Sequence, residues 1–507
     1  MTHPLARSLF AIATFLGLAL TQPAFSLSDS DVDLVILNAT LISPERATPL
    51  QDAWVRVSGD RIIEVGSGAI DVGSAQVIDA NHGYLIPGLI DSHVHLYHAT
   101  GLRARYTDDH VALYRGYMEQ QPRSFLFHGF TTVIELNADA ETNARFEAAP
   151  LHPHLVHCGQ GVALSDGFMA LELEGVPIGD AYPGYLIDHY AGGLIPDGAD
   201  PAAHTPEAVV ASVVDQGGQC IKLYYEEALW WPEGAPAFRL PSVAIVRDVV
   251  AAAHAAGLPV LLHATTPAGY EFALQSGIDI LAHGMWEWTG QSFTDPQPSA
   301  RTAEIAWRVA HSRIAVQPTI ETIRNTASLF DASVLADTGW VDAVPAAYLD
   351  YLRGEAQVQR EDFIAMFGAT TVEGSGSDDM GAAQSAFLNR YENLLSGMYA
   401  ENSRLLFGTD TAVGGFGWAS PPGLAGYWEM QNWVDTGITL QSLFRAMTIN
   451  NAAAFGLGNE IGTIEPGKRA DLLILRSSPL LDVAAYNQID RVVLAGEVIE
   501  RSSLSAR

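Results

Sequence analysis

The residues that could do chemistry stand at the ends of short apolar runs. In Gly88-Leu89-Ile90-Asp91-Ser92-His93-Val94-His95 two histidines are spaced by one residue, and the strand period of two puts both imidazoles on one face. His263 closes Val260-Leu261-Leu262, His283 closes Ile280-Leu281-Ala282, and Asp410 closes Leu405-Leu406-Phe407-Gly408-Thr409. Any one of these is explained as a core histidine or as an aspartate capping the next element. Five of them at four strand ends form a set, because imidazole and carboxylate are the ligands divalent metals take. That ligand chemistry suits Zn, Mn, Co and Ni alike, with zinc the default.

Lys222, inside Cys220-Ile221-Lys222-Leu223, is the sixth member. A lysine in a short apolar strand must find a partner or lose its charge. As an ammonium it has no lone pair for a metal. If its neutral amine captures carbon dioxide it becomes an anionic carbamate that can bridge two cations about 3.5–4 Å apart. Pairing with Glu226 or Glu227 is the other reading, and the residues leave the two open.

Such side chains need strands that converge. Eight short apolar runs read as strands: 88–95, 131–136, 155–157, 220–223, 260–263, 280–283, 315–318 and 405–410. They alternate with helical stretches, the pattern of an α/β chain with a parallel sheet, and eight is the number a closed (β/α)₈ TIM barrel needs. Active sites of such barrels sit at the C-terminal ends of the strands, where the histidines fall. Residues 27–84 and 456–507 instead carry short alternating runs broken by turn residues, and are expected to meet as one small β-sandwich. The barrel is expected over 85–455, with a largely helical insertion over about 319–404 that is a lid or a packed addition.

The chain has 507 residues, 58 acidic and 27 basic, for a net charge of −31. That surface repels phosphate backbones and anionic lipid, which argues against nucleic acid as a partner. Residues 1–26 hold Arg7, the apolar run Leu9–Leu20 and Ala24-Phe25-Ser26, which reads as a signal peptide. A periplasmic or secreted protein, free of the membrane after its removal, is expected. Cys158 and Cys220 are the only cysteines; a disulfide and two buried thiols are equally compatible with the sequence. Homo-oligomerisation is left open.

Taken together, Pro87-Gly88-Leu89-Ile90-Asp91-Ser92-His93-Val94-His95, Gly129-Phe130-Thr131-Thr132-Val133, His263, His283-Gly284, Gly408-Thr409-Asp410 and Gly462-Thr463-Ile464-Glu465-Pro466-Gly467-Lys468-Arg469-Ala470-Asp471-Leu472 resemble, in that order, the amidohydrolase superfamily. The resemblance covers almost all of the chain after the signal peptide and points to the prolidase- and imidazolonepropionase-like branch. It implies a distorted (β/α)₈ barrel with a β-sandwich from both chain ends. It also implies that His93, His95 and Asp410 hold one metal, His263 and His283 a second, and carboxylated Lys222 bridges them, with zinc in both places as the default. Asp410 would serve as general base and then acid.

One departure bears on reaction class. Deaminase-like members with one metal carry a glutamate three residues after the histidine that matches His263, and here Thr266 stands there. Hydrolysis of a C–N bond is therefore expected, in a dipeptide, an N-acyl amino acid or a related amide. Opening of a cyclic amide, imide or lactone needs the same residues, and a silent metal- or ligand-binding protein is the reading from another class. Loops after the metal-bearing strands hold Tyr224, Tyr225, Trp230, Trp231, Trp286, Trp288, Phe416 and Trp418, an aromatic mouth if they do not merely pack the loops. Tyr224, Trp286 and His157 are the substrate-contact candidates, and His189 is a weaker one.

Overall fold

The computed structural model describes residues 33–507 except 103–109, 172–174, 230–237, 293, 332, 372–376 and 413–417. The expected signal peptide, and Trp230, Trp231 and Phe416, lie outside the described residues. Among the described residues no helix is long and apolar enough to cross a membrane.

The chain opens with β1 (Leu34–Leu41), β2 (Leu50–Ser58), β3 (Arg61–Ser67), β4 (Gln76–Asp79) and β5 (Tyr84–Pro87). The parallel strands follow: β6 (Leu89–Val94), β7 (Phe130–Glu135), β8 (His154–His157), β9 (Ile221–Tyr224), β10 (Val260–His263), β11 (Ile280–Ala282), β12 (Ala315–Gln317) and β13 (Arg404–Leu405). It ends with β14 (Leu472–Leu475), β15 (Ile489–Leu494) and β16 (Glu497–Glu500).

Strands from both chain ends share one eight-stranded sheet in the order β16-β15-β14-β5-β1-β2-β3, with β4 on β1. The hydrogen bonding joins the strands of the two chain ends in one mixed sheet. β14 runs antiparallel to β5, pairing Leu472 with Pro87. Only Gly88 separates β5 from β6, and a Cβ there would stand 2.0 Å from Thr131 Oγ1, so the close approach of β6 to β7 needs glycine at this position. The terminal sheet thus holds the strand that carries His93.

Parallel strands form at the eight expected places, the eighth only as Arg404–Leu405 where 405–410 is expected, in two sheets, β6-β7-β8 and β13-β12-β11-β10-β9. Most of their residues are buried, as strands covered on both faces must be. The two sheets do not close into one ladder. β13 is only two residues long, and the chain beyond it meets β6 through single bonds: Ser92 N–H to Phe407 O at 3.1 Å, Asp410 N–H to His93 O at 2.8 Å and His95 N–H to Thr411 O. Asn451 donates across the same seam to Ile90 O and Phe407 O. At the other seam Gln219 N–H bonds His157 O at 2.7 Å, and a Cys158–Cys220 disulfide joins the end of β8 to the start of β9.

The crossover helices are delimited by local chemistry. Ser242, Thr266 and Ser299 cap the helices Val243–Ala255, Pro267–Ser276 and Ala300–Ala310 by accepting from Ile245, Gly269 and Thr302 N–H, and Gly277 ends the second at φ 83°. The stretch read as an insertion contains the helices Ile320–Ser328, Ala346–Thr371 and Ser377–Ala400.

Candidate active site

His93 and His95 leave the end of β6, and Asp410 reaches them from the segment after β13. Asp410 Oδ1 lies 3.1 Å from His93 Nε2 and 3.0 Å from His95 Nε2. The three ligand-type atoms all stand within 4.8 Å of one another. Gly408 permits this: a Cβ there would meet His93 Cβ at 2.8 Å. Both ring nitrogens of His93 and Nδ1 of His95 are buried without a hydrogen-bond partner. Buried polar atoms without partners are rare in proteins, and one of them, His93 Nε2, faces the same Asp410 oxygen as His95 Nε2, so the three residues fit a divalent cation.

The second pair stands alongside. The ring of His283 is 4.9 Å from that of His93 and 4.6 Å from that of His263. His283 Nδ1 lies 3.1 Å from Thr319 Oγ1 and 3.8 Å from Asp410 Oδ2. His263 Nε2 is hydrogen-bonded at 2.7 Å to Glu226, which the sequence reading offered as a partner for Lys222. Lys222 is 2% exposed and, among the described residues, has no carboxylate within ion-pair distance. His283, Thr319 and Asp410 all have positive φ (82°, 47° and 61°), a costly conformation for side-chain-bearing residues that clusters at functional sites.

Burial sets the charges. It pushes His93 and His263 down to about 3 and His283 well below its ordinary value, so all three are neutral, the ligand form. Burial pushes Asp410 up, but the surrounding imidazoles more than offset it and hold the carboxylate ionised. His95 is the exception: burial lowers it, while Asp410 and Glu135 together raise it to about 9. Burial brings Lys222 down to about 8, against the pull of Asp410 and Glu135.

Several contributors were not visible in the sequence. Glu135, fully buried at the end of β7, accepts from Leu96 N–H and from Asn137 N–H at 2.8 Å, and stands 3.5 Å from His95 Nδ1. It is placed to orient His95 as carboxylates orient metal-binding histidines. Thr322 donates to Asp410 Oδ2 at 3.3 Å. Its helix, Ile320–Ser328, is not capped by Thr319; instead Glu429, from the helix Leu424–Asp435, accepts from Ile320 and Glu321 N–H at 3.1 and 2.7 Å. A glutamate after the apolar run Thr132-Val133-Ile134 is the one signal that could have exposed Glu135; Thr322 and Glu429 are ordinary helix residues in sequence.

The substrate candidates separate. Tyr224 lies 6.1 Å from His263 and 5.9 Å from Lys222 Nζ, ring centroid to group, and Trp286 is 5.2 Å from His283. His157 points elsewhere, its Nδ1 accepting from Gly159 N–H in the turn after β8. His189 is exposed beside Tyr190. Trp288 donates to Met285 O and packs its own loop under Arg390.

Known proteins share this arrangement of elements. A crystal structure of a Xaa-Pro dipeptidase with bound methionine in its active site is similar over 92% of this chain and 99% of that one, with a TM-score of 0.63 and 18% identity. The ochratoxinase of A. niger is similar over 93% and 96%, with a TM-score of 0.61 and 19% identity. At these identities the likeness is one of fold, and it implies a TIM barrel with a second domain. In sequence, the imidazolonepropionase of Alkaliphilus oremlandii (strain OhILAs) is 49% identical over 55 residues, 10% of this chain and 13% of that protein, so the chain matches only a small part of its curated relatives. The family model described as Amidohydrolase family matches residues 84–284 and 380–499, the span that carries every metal-type residue above, and the chain belongs to that family.

Proposed function

We propose that the chain is a periplasmic or secreted metal-dependent hydrolase that cleaves a C–N bond in a dipeptide, an N-acyl amino acid or a related amide. The gathering of His93, His95 and Asp410 around one point carries the reading. Family membership and the hydrolases among the fold relatives support it. In this reading residues 85–455 close into a (β/α)₈ barrel, and residues 27–84 and 456–507 form the second domain. The Cys158–Cys220 disulfide supports an oxidising compartment, and so removal of residues 1–26 on export.

His93, His95 and Asp410 would hold one divalent ion, His263 and His283 a second. Lys222 would bridge them as a carbamate, its neutral amine adding to carbon dioxide with release of one proton. Burial that lowers the lysine to about 8 enlarges the neutral fraction. The metal pair, zinc by default, supplies a Lewis acid for the carbonyl and acidifies water. Asp410 Oδ2, on the side away from His93 and His95, takes the proton from the attacking water and returns it to the departing amine. Tyr224 and Trp286 flank the substrate. His157 takes no part in this reading, because its ring serves the β8 turn.

A second reading, opening of a cyclic amide, imide or lactone, is favoured by the local likeness to an imidazolonepropionase. Mass-spectrometric product analysis with dipeptides, N-acyl amino acids, aryl amides, cyclic imides and lactones, with and without chelator, separates them. Chelator-sensitive formation of an acid plus an amine is expected. Ring opening alone would transfer the assignment to the second reading, and silence across the panel would remove both.

A further inference from the structure

A cavity of about 400 Å³ lies at the opposite end of the parallel strands from the metal residues. Its wall includes Ala315 and Arg404, the first residues of β12 and β13, whereas Asp410 follows the last residue of β13. It is therefore separate from the substrate site, which sits where such strands end. Its polar lining is Tyr399, Ser403, Arg404, Ser442, Arg445 and Asn450, with Leu405 and Ala454 on the apolar side.

Among the described residues no acidic side chain lines this cavity, in a chain with 58 acidic and 27 basic residues. Arg404 and Arg445 each spend one donor on a backbone carbonyl, Arg313 O at 3.1 Å and Pro44 O at 2.6 Å. Among the described residues neither has a carboxylate partner. A guanidinium carries five N–H donors, so most of this capacity is left over. Two planar guanidinium forks without carboxylate partners around one cavity complement the geometry of a carboxylate or phosphate.

We infer that this cavity, lined by Arg404, Arg445 and Ser403, is a binding site for a small organic oxyanion, a carboxylate or a phosphate monoester. The volume falls within the roughly 300–1,000 Å³ of small-molecule sites and leaves an apolar side for a carbon frame. The overall negative charge opposes any anion at long range, so the affinity must come from local contacts.

Calorimetric titration of the full-length, metal-loaded chain with inorganic phosphate, phenyl phosphate and benzoate tests this. One saturable site is expected, with an organic probe binding more tightly than inorganic phosphate. Arg404→Gln and Arg445→Gln should each weaken it about tenfold or more, the loss expected for a charge-assisted contact, and together abolish it. Arg404→Lys keeps the charge without the fork and should also weaken binding, which preserves the test if Arg445→Gln fails to fold. No saturation of any probe up to roughly 10 mM, a bound as weak as binding sites are usefully measured, overturns the inference. Unchanged binding in the double variant, or in Arg404→Lys, overturns it as well.

Discussion

The hydroxyl of Thr322 donates to Asp410 Oδ2, while Oδ1 of the same carboxylate faces His93 and His95. The two oxygens therefore have separate environments, one turned to the ligand group and one held by a helix. Thr322→Val, which keeps the shape and removes the donor, should lower kcat about tenfold, in line with loss of one hydrogen bond to a charged group, with little change in KM. Thr322→Ser should restore it. Equal loss in both variants would mean that the methyl packing matters and the hydrogen bond does not.

Asp410→Asn removes the base and one ligand oxygen together. A fall in kcat of at least 10²–10³-fold is expected, with lower metal content by elemental analysis and a preserved circular dichroism spectrum. Near-normal turnover would remove Asp410 from the proton transfer.

For Lys222→Ala the readout is stoichiometry. The variant should hold fewer metal ions per chain than the parent, and added bicarbonate should not help it, whereas bicarbonate should speed metal loading of the parent. Two ions retained at unchanged activity would exclude the carbamate bridge.

In the metal-free protein the contribution of His93, His263 and His95 to stability should be greatest near pH 6.5. His93 and His263 are held down to about 3 in the folded state against an ordinary 6.5, so they favour folding above 6.5 and that contribution is lost as pH falls toward 3. His95 has the opposite sign: raised to about 9, it favours folding below 6.5 and loses that effect as pH rises through 9. Melting curves of chelated protein from pH 4 to 10, compared with those of His95→Gln, should show the alkaline loss only in the parent. Metal displaces the His95 proton, so loading should flatten the alkaline side.

Reduction of Cys158–Cys220, which are 62 residues apart, should lower stability by roughly 2–4 kcal/mol, read as a drop in melting temperature for Cys158→Ser in non-reducing buffer. An unchanged melting temperature would mean that packing and the Gln219–His157 hydrogen bond hold the seam between β8 and β9 without the disulfide.

Much of the architecture was legible because parallel strands buried on both faces are written as apolar runs; Val260-Leu261-Leu262 and Ile280-Leu281-Ala282 announce themselves, and their ends carry the histidines. Pattern does not encode closure. The seams depend on irregular backbone after Leu405, where Asp410 adopts positive φ, and on the pairing of two distant cysteines. The partners that orient the site were illegible for a similar reason. Glu429 reaches the helix of Thr322 across more than a hundred residues, and Glu226 turned to His263 although sequence proximity suggested Lys222.

The place of β14 between β5 and β15 carries a consequence for biogenesis. Residues 472–475 are made after nearly all of the rest, so β5 must wait with one edge uncovered until the chain is almost finished. During that interval the strand that leads into His93 has an open flank able to pair with a neighbouring nascent chain. A ribosome stall or a truncation before Leu472 would thus yield an aggregating species instead of a shortened enzyme.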